Sequence, residues 1–86
     1  MPVLSIFYGI VITIYWYDHA PPHVHARYGE HEAQIDIIAV ALLAGSLPRR
    51  ATAMVLRWTR AHQSELLAAW AAASDGVPPA RIAPLP

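Results

Sequence analysis

Histidines are concentrated in one short stretch of this chain, and their spacing is its first feature with chemical content. Four of the five histidines lie between positions 19 and 31, and His23 and His25 belong to a run in which polar and apolar side chains alternate. Such alternation is typical of a half-buried strand, in which residues i and i+2 face the same side. We therefore expect His23, His25 and Arg27 to share one face, lined by solvent or by a ligand. The core face would take Val24, Ala26 and Tyr28.

Further polar groups would join this face from neighbouring segments. Asp18 and His19 come just before the strand, and adjoining strands would add tyrosines at cross-strand distances of about 4.5–5.5 Å. Because bases, acids and a guanidinium would then lie within mutual reach, we predict a functional site here. The expected catalytic residues are His23, His25 and Arg27, and the expected binding residues are Asp18, His19, Tyr15, Tyr17 and Glu30.

Two chemistries and one inert interpretation fit these residues. In the first, a histidine cluster binds zinc or another divalent transition metal, with Asp18 as an alternative third ligand. The histidines of that metal site would be His19, His23 and His25. In the second, no metal is needed: one histidine accepts the 2′-hydroxyl proton of RNA while Arg27 stabilises the phosphorane charge. In the third, these side chains are only the solvated face that any such sheet exposes, and the sequence leaves all three interpretations open.

Composition narrows the classes of function. Cysteine is absent, which excludes disulfides and thiolate metal sites. The net charge is zero, so RNA remains a partner only through local clustering of charge, and nothing draws the chain to an anionic membrane. The uncharged segment from Met1 to Tyr17 is short for a membrane span and holds Pro2, Gly9 and many β-branched and aromatic residues. We interpret it as strands and expect a cytoplasmic protein.

The elements that must position these residues follow from hydrophobic periodicity. Strands are predicted at 3–8, 10–17, 23–28, 32–38 and 39–43. A break is expected at Gly45-Ser46, followed by a helix over about 48–74 and an extended tail over 77–86. The predicted fold class is α+β: a small antiparallel sheet of three to five strands with one long C-terminal helix on its apolar face, in a single domain over 1–86.

The predicted helix has two faces of different character. Its apolar stripe includes His62 between Trp58 and Leu66, which we interpret as a hydrogen-bonded core histidine. The opposite side collects arginines with no aromatic residue between them, which is a weak signal for nucleic-acid binding. Those arginines are Arg50, Arg57 and Arg60.

The sequence also resembles a bacterial family, the one catalogued as domain of unknown function 4160. The resemblance rests on five segments: Asp18-His19-Ala20-Pro21-Pro22-His23-Val24-His25 with its continuation to Glu30, Phe7-Tyr8-Gly9-Ile10, Gly45-Ser46-Leu47-Pro48, the helical pattern from Trp58 to Trp70, and the ending Ile82-Ala83-Pro84-Leu85. It implies a small stand-alone prokaryotic protein with no established activity or catalytic residue. Members are often encoded beside a second small protein in a toxin–antitoxin-like arrangement.

From this resemblance we expect a component of a small prokaryotic toxin–antitoxin-type pair that binds a partner protein encoded nearby. The edges of a short sheet are docking sites for a partner chain or for a second copy, which would make a homo-oligomer. The toxin role is favoured, because many antitoxins use a disordered, charged segment and this sequence has no such composition. The alternative is a metal-dependent hydrolase, or a metal-free ribonuclease, that uses His23, His25 and Arg27.

Overall fold

The computed structural model describes residues 1–86, and its sheet is a meander in which each strand pairs antiparallel with the next. The strands are β1 (Val3–Phe7), β2 (Ile10–Thr13), β3 (His23–Tyr28), β4 (His31–Asp36) and β5 (Ala41–Ser46). Two helices follow, α1 (Arg49–Ala61) and α2 (Gln63–Ser74). The predicted α+β class with an antiparallel sheet is confirmed. Neither helix combines the length and the apolar content that crossing a bilayer requires.

Two-residue turns fix the register of the β1–β2 and β3–β4 hairpins. Phe7 pairs with Ile10 across Tyr8 and Gly9, whose φ angles are 51° and 79°. Positive φ at both central positions is the requirement of a type I′ turn, whose twist matches that of the flanking strands. The predicted turn at Gly29-Glu30 is also present and joins β3 to β4.

The apolar face of the sheet carries the alternating residues that the sequence predicts. Ile10, Ile12 and Ile14 are fully buried, as are Ile35 and Ile37 from β4 and the turn after it. Both helices contribute to the same core, through Ala51, Val55, Trp58, Leu66, Ala69 and Ala73. The helices therefore pack on the apolar face of the sheet, as predicted for this class.

The C-terminal tail is extended and held against the sheet. The backbone N–H of Ile82 donates to the carbonyl oxygen of Leu4 at 2.8 Å, and the indole N–H of Trp58 donates to the carbonyl oxygen of Ala83 at 2.8 Å. Ile82 is buried and Leu85 is partly buried against the core. The tail thus gives buried Trp58 the hydrogen-bond partner that an indole N–H needs.

Several predicted strand boundaries are wrong. The fourth strand ends at Asp36 and the last begins at Ala41, rather than at positions 38 and 39, because the N–H groups of Ile38 and Ala39 donate to Oδ1 of Asp36 in a turn. The second strand ends at Thr13 rather than at position 17, because the N–H of Ile14 bonds to Pro2 and the N–H of Tyr17 bonds to Ala73 in α2. The last strand runs through Gly45-Ser46 instead of ending before them. A Cβ at Gly45 would overlap the carbonyl oxygen of Glu32, so the missing side chain is what lets β5 lie beside β4.

The single long helix is also a wrong prediction, because the chain bends at His62. This residue leaves helical geometry at φ −119° and ψ 25°, and its ring nitrogen Nδ1 lies 2.7 Å from Oε1 of Glu65. The side chain of Gln63 donates hydrogen bonds to the carbonyl oxygens of Ile37 and Ile38, at 2.8 and 3.1 Å. These bonds anchor the start of α2 to the end of β4 and redirect the helix. His62 is consequently half-buried at the bend and not a core residue.

Tyr28 lies on the predicted face of the sheet, because it pairs directly with the buried Ile10. It is 39% exposed, so its ring is at the margin of the core and not inside it. The residue is the last of β3, and its ring lies against Gly9 of the neighbouring turn.

Candidate metal centre

One carboxylate and two imidazoles meet where the loop after β2 returns to the sheet. Oδ2 of Asp18 lies 3.0 Å from Nε2 of His23 and 3.6 Å from Nε2 of His25. The three groups can place their ligand atoms within 4.8 Å of one another. The structure thus brings together Asp18 and the two histidines that period-2 spacing places on one face of β3.

Hydrogen bonding determines which nitrogen of His23 carries a proton. Its Nδ1 atom lies 2.7 Å from the carbonyl oxygen of Pro21. A carbonyl oxygen only accepts, so Nδ1 must be the donor. The Nε2 atom, aimed at Asp18, then either shares a second proton with that carboxylate or offers its lone pair to a metal. A histidine that donates its other N–H to a backbone carbonyl is the usual arrangement around metal ligands.

His25 is buried, and its polar atoms have no partner. Neither Nδ1 nor Nε2 makes a hydrogen bond, and the ring stacks on Tyr15 with centroids 3.9 Å apart and an 8° interplanar angle. Burial lowers the pKa of His25, and the contact with Asp18 offsets this only in part. The imidazole is therefore held neutral, with a lone pair available. An unsatisfied buried polar group costs about 1–3 kcal/mol, and a ligand on Nε2, the nitrogen 3.6 Å from Asp18, would remove one of the two.

Asp18 is the negatively charged member of the cluster. Its partial burial raises the carboxyl pKa, but the backbone N–H of His19, 2.8 Å from Oδ1, and the charge of His23 outweigh burial and leave the pKa below its usual value. The carboxylate is thus ionised at neutral pH. One oxygen is held by His19 while the other points at His23 and His25.

The loop that presents Asp18 is fixed at several points along its length. The N–H of Ile14 donates to the Pro2 carbonyl at 3.1 Å, and the N–H of Tyr17 donates to the Ala73 carbonyl at 3.2 Å. The Tyr17 side chain also fills the space over Gly76, where a Cβ would overlap its hydroxyl. These contacts hold the carboxylate in place before any ligand binds, which lowers the cost of binding.

The two imidazoles are buried, whereas the sequence predicts a face lined by solvent or by a ligand. The side chains of His23 and His25 are only 3% and 8% exposed, whereas Asp18 is 13% exposed. The reason is cover from other elements: Tyr15 lies over His25, and Trp70 of α2 packs on His23 with ring centroids 5.2 Å apart. Approach to the cluster is therefore from the side of Asp18.

The other predicted site residues lie around the cluster or away from it. His19 is 91% exposed, and its Nδ1 lies 3.0 Å from Oδ1 of Asp18, on the outer oxygen of that carboxylate. Arg27 is exposed and pairs with Glu32 at 3.3 Å, beside a cavity of about 180 Å³ that His25 also lines. Tyr17 is exposed over α2, and Glu30 is exposed in the β3–β4 turn.

Two contributors to the site have no signal in the sequence. Trp70 falls beside the apolar stripe of the predicted helix, which indicates an ordinary core residue, and only the folded structure shows its contact with His23. The carbonyl oxygen of Pro21 is a backbone group, which residue types do not reveal. Pro21 and Pro22 before His23 are the one feature of the sequence that indicates a constrained backbone in this segment.

The geometry suits a metal ion. In a tetrahedral site with bonds of about 2.0–2.2 Å, ligand atoms lie roughly 3.3–3.6 Å apart. The Asp18–His25 separation of 3.6 Å is at the upper end of that range, and the Asp18–His23 separation of 3.0 Å is below it. Two histidines and one carboxylate are a known donor set for zinc and for non-haem iron(II), and they leave coordination positions for water or substrate.

Fold and cluster together define a small α+β protein with a buried histidine–carboxylate centre. The chain matches the model of the family described as "Domain of unknown function (DUF4160)" over residues 9–71, which include the whole cluster, and it belongs to this family. No curated protein and no solved structure matches the chain.

Proposed function

We propose that this protein binds a divalent transition metal, zinc or iron(II), through Asp18, His23 and His25. The observation that carries the proposal is the state of His25. Its two ring nitrogens are buried without partners, and one of them lies 3.6 Å from a carboxylate oxygen. A buried imidazole without a hydrogen-bond partner is rare in native proteins, so we infer that a ligand binds His25.

A proton alone would satisfy the cluster less well than a metal. A second proton on His23 would pair that ring with Asp18 but would leave His25 without a partner. A cation between the three groups would accept lone pairs from both imidazoles and offset the carboxylate charge at the same time. The bond from Nδ1 of His23 to Pro21, at 2.7 Å, already orients the ring for this role.

Burial separates the two enzyme alternatives that the sequence leaves open. A metal-free ribonuclease needs an imidazole within hydrogen-bond reach of its substrate, and the covered rings of His23 and His25 do not favour this. A metal-dependent hydrolase needs only that an ion-bound water be reached from the partly open side of Asp18. Of the two, the metal-dependent reaction is the one we propose, with the ion supplying the activated water.

Calorimetric titration of untagged protein with Zn²⁺ tests metal binding. We expect a single equivalent to bind, and we expect Asp18→Asn and His25→Ala to weaken binding at least tenfold, since even the loss of an outer partner costs about 10–100-fold. His31→Ala is the matched control, because His31 is exposed on β4 outside the cluster. Equal affinity in all variants, or no saturable binding in the parent, would contradict the proposal.

As a second candidate function we infer protein binding at the edge strand β5, in a toxin–antitoxin-type pair with the toxin role preferred. All six residues of β5 are exposed and none is charged, and β5 is the last strand of the sheet. Natural edge strands are usually protected by charge, proline or a covering element, and this one has only a bulge opposite Gln34 and Ile35. A strand from a partner could extend the sheet here.

Co-purification with the protein encoded beside it tests this second function. We expect a stable complex that Leu42→Lys disrupts, because the charge would lie on the edge that the partner covers. Val77→Lys is the control, since Val77 is an exposed apolar residue outside the sheet. If the co-expressed protein purifies without its neighbour, or if both variants behave alike, this candidate fails. Growth arrest on induction, rescued by the neighbour, would mark the toxin.

A further inference from the structure

We propose that a groove between the β1–β2 turn and α1 binds single-stranded nucleic acid, independently of the metal centre. The groove encloses about 730 Å³ and is lined by Tyr8, Tyr28, Arg50, Ala53, Met54, Arg57 and the C-terminal residue Pro86. Tyrosines and arginines are the two residue types that such ligands require, since bases stack on aromatic rings and arginines contact the phosphates.

The arginines of the groove are not neutralised by the protein itself. Helix α1 contains Arg49, Arg50, Arg57 and Arg60 and no acidic residue. Among the arginines of the chain, only Arg27 takes part in a salt bridge. A chain with zero net charge therefore carries a local positive stripe. Arg50 and Arg57 stand two helical turns apart, about 10 Å along the axis, so they would contact separate phosphates.

The tyrosines come from two other elements and stand beside these arginines. Tyr8 is 60% exposed in the type I′ turn. The Cε1 atom of Tyr28 lies 3.3 Å from the position that a Cβ on Gly9 would occupy, so the turn fixes the place of this ring. The sequence signal for nucleic acid is weak because no aromatic residue lies among the arginines of the helix. The fold supplies the missing aromatic residues from the sheet.

The type I′ turn fixes the backbone at Tyr8. Its φ of 51° is in the left-handed region, which both central positions of such a turn require and which asparagine or glycine adopts with less strain. The turn thus holds an aromatic ring at the groove, which is what stacking on an unpaired base requires.

Fluorescence anisotropy with a labelled 12-nucleotide uridine strand tests the proposal. We expect binding that weakens as salt rises, with each arginine contact adding about −0.7 to the slope of log K against log salt. Arg57→Gln should reduce that slope by one such step. Arg81→Gln is the matched control, because Arg81 is exposed on the tail and outside the groove.

Variants of Tyr8 distinguish base stacking from general electrostatic attraction. Tyr8→Leu should weaken binding about fivefold or more, since loss of a stacking ring costs that much, whereas Tyr8→Phe should bind like the parent. A deoxyuridine strand should bind with similar affinity, because stacking and phosphate contacts do not need the 2′-hydroxyl. Each of four results would overturn the proposal. The first two are no binding at low salt and equal effects of Arg57→Gln and Arg81→Gln. The other two are equal binding by Tyr8→Leu and the parent, and preference for a phosphotyrosine peptide over the strand.

Discussion

Nδ1 of His23 donates a hydrogen bond to the carbonyl oxygen of Pro21, two residues earlier, over 2.7 Å. The bond leaves Nε2 as the only nitrogen of that ring that can act toward Asp18 and His25. The loop therefore does more than connect β2 to β3. It supplies the carboxylate of Asp18 as well as the backbone acceptor that orients the imidazole of His23, as the outer partners of metal ligands do.

The metal-free protein should lose stability as the pH falls below neutral, because of His25. Burial holds the pKa of folded His25 below its ordinary value of 6.5, so the unfolded chain binds a proton at a pH where the folded chain does not. The free energy of unfolding then rises with pH across that window. The free energy of unfolding is therefore highest above about pH 6.5 and falls as the pH is lowered toward the pKa of folded His25. Urea unfolding midpoints between about pH 5 and pH 7.5 measure this change.

His25→Phe provides the comparison for that experiment, because it removes the titrating group and keeps a ring on Tyr15. Its urea midpoint should depend less on pH than that of the parent. Identical pH dependence in the two proteins would mean that another group is responsible.

The same variant separates stability from binding. Phenylalanine removes the two unpartnered nitrogens and retains the stacked geometry, so the metal-free variant should be as stable as the parent within about 1 kcal/mol, or more stable. Zinc should no longer raise its thermal midpoint. For the parent, saturation at a hundred times the dissociation constant should stabilise the fold by about 2.7 kcal/mol. A variant that is much less stable without metal would show that the imidazole already has a partner.

Gly76→Ala should weaken metal binding from a distance. The new Cβ would overlap the hydroxyl of Tyr17 and displace the loop that carries Asp18, in addition to the strain of a side chain at φ +71°. Gly29→Ala is the matched control, because Gly29 has φ +58° but open space around it. Both variants should lose about 1–2 kcal/mol of stability from strain, and only Gly76→Ala should also lose zinc affinity. Equal zinc affinities would contradict the role of this contact.

The sequence predicts those features of the fold that depend only on residues close together in one helix or strand. The buried faces formed by Ile10, Ile12 and Ile14, and by Ile35 and Ile37, follow from period-2 alternation alone. It does not predict the bend at His62, because the carbonyl groups that hold Gln63 are 25 and 26 residues away in the chain.

The candidate site, too, can be predicted from the sequence only in part. Strand periodicity places His23 and His25 on a common face, and Asp18 is near them in the sequence. Their burial depends on Trp70, and the groove beside α1 depends on tyrosines from two hairpins. Such contacts join elements whose relative positions only the folded core determines.

The location of a bound ion tests the central claim most directly. Crystals grown with Zn²⁺ should give one strong anomalous peak at the zinc edge, about 2.0–2.2 Å from Oδ2 of Asp18 and from Nε2 of His23 and of His25. The ring of His23 should keep its hydrogen bond to Pro21 in that structure. Zinc peaks only at exposed histidines such as His31, with no ion between Asp18, His23 and His25, would contradict the account.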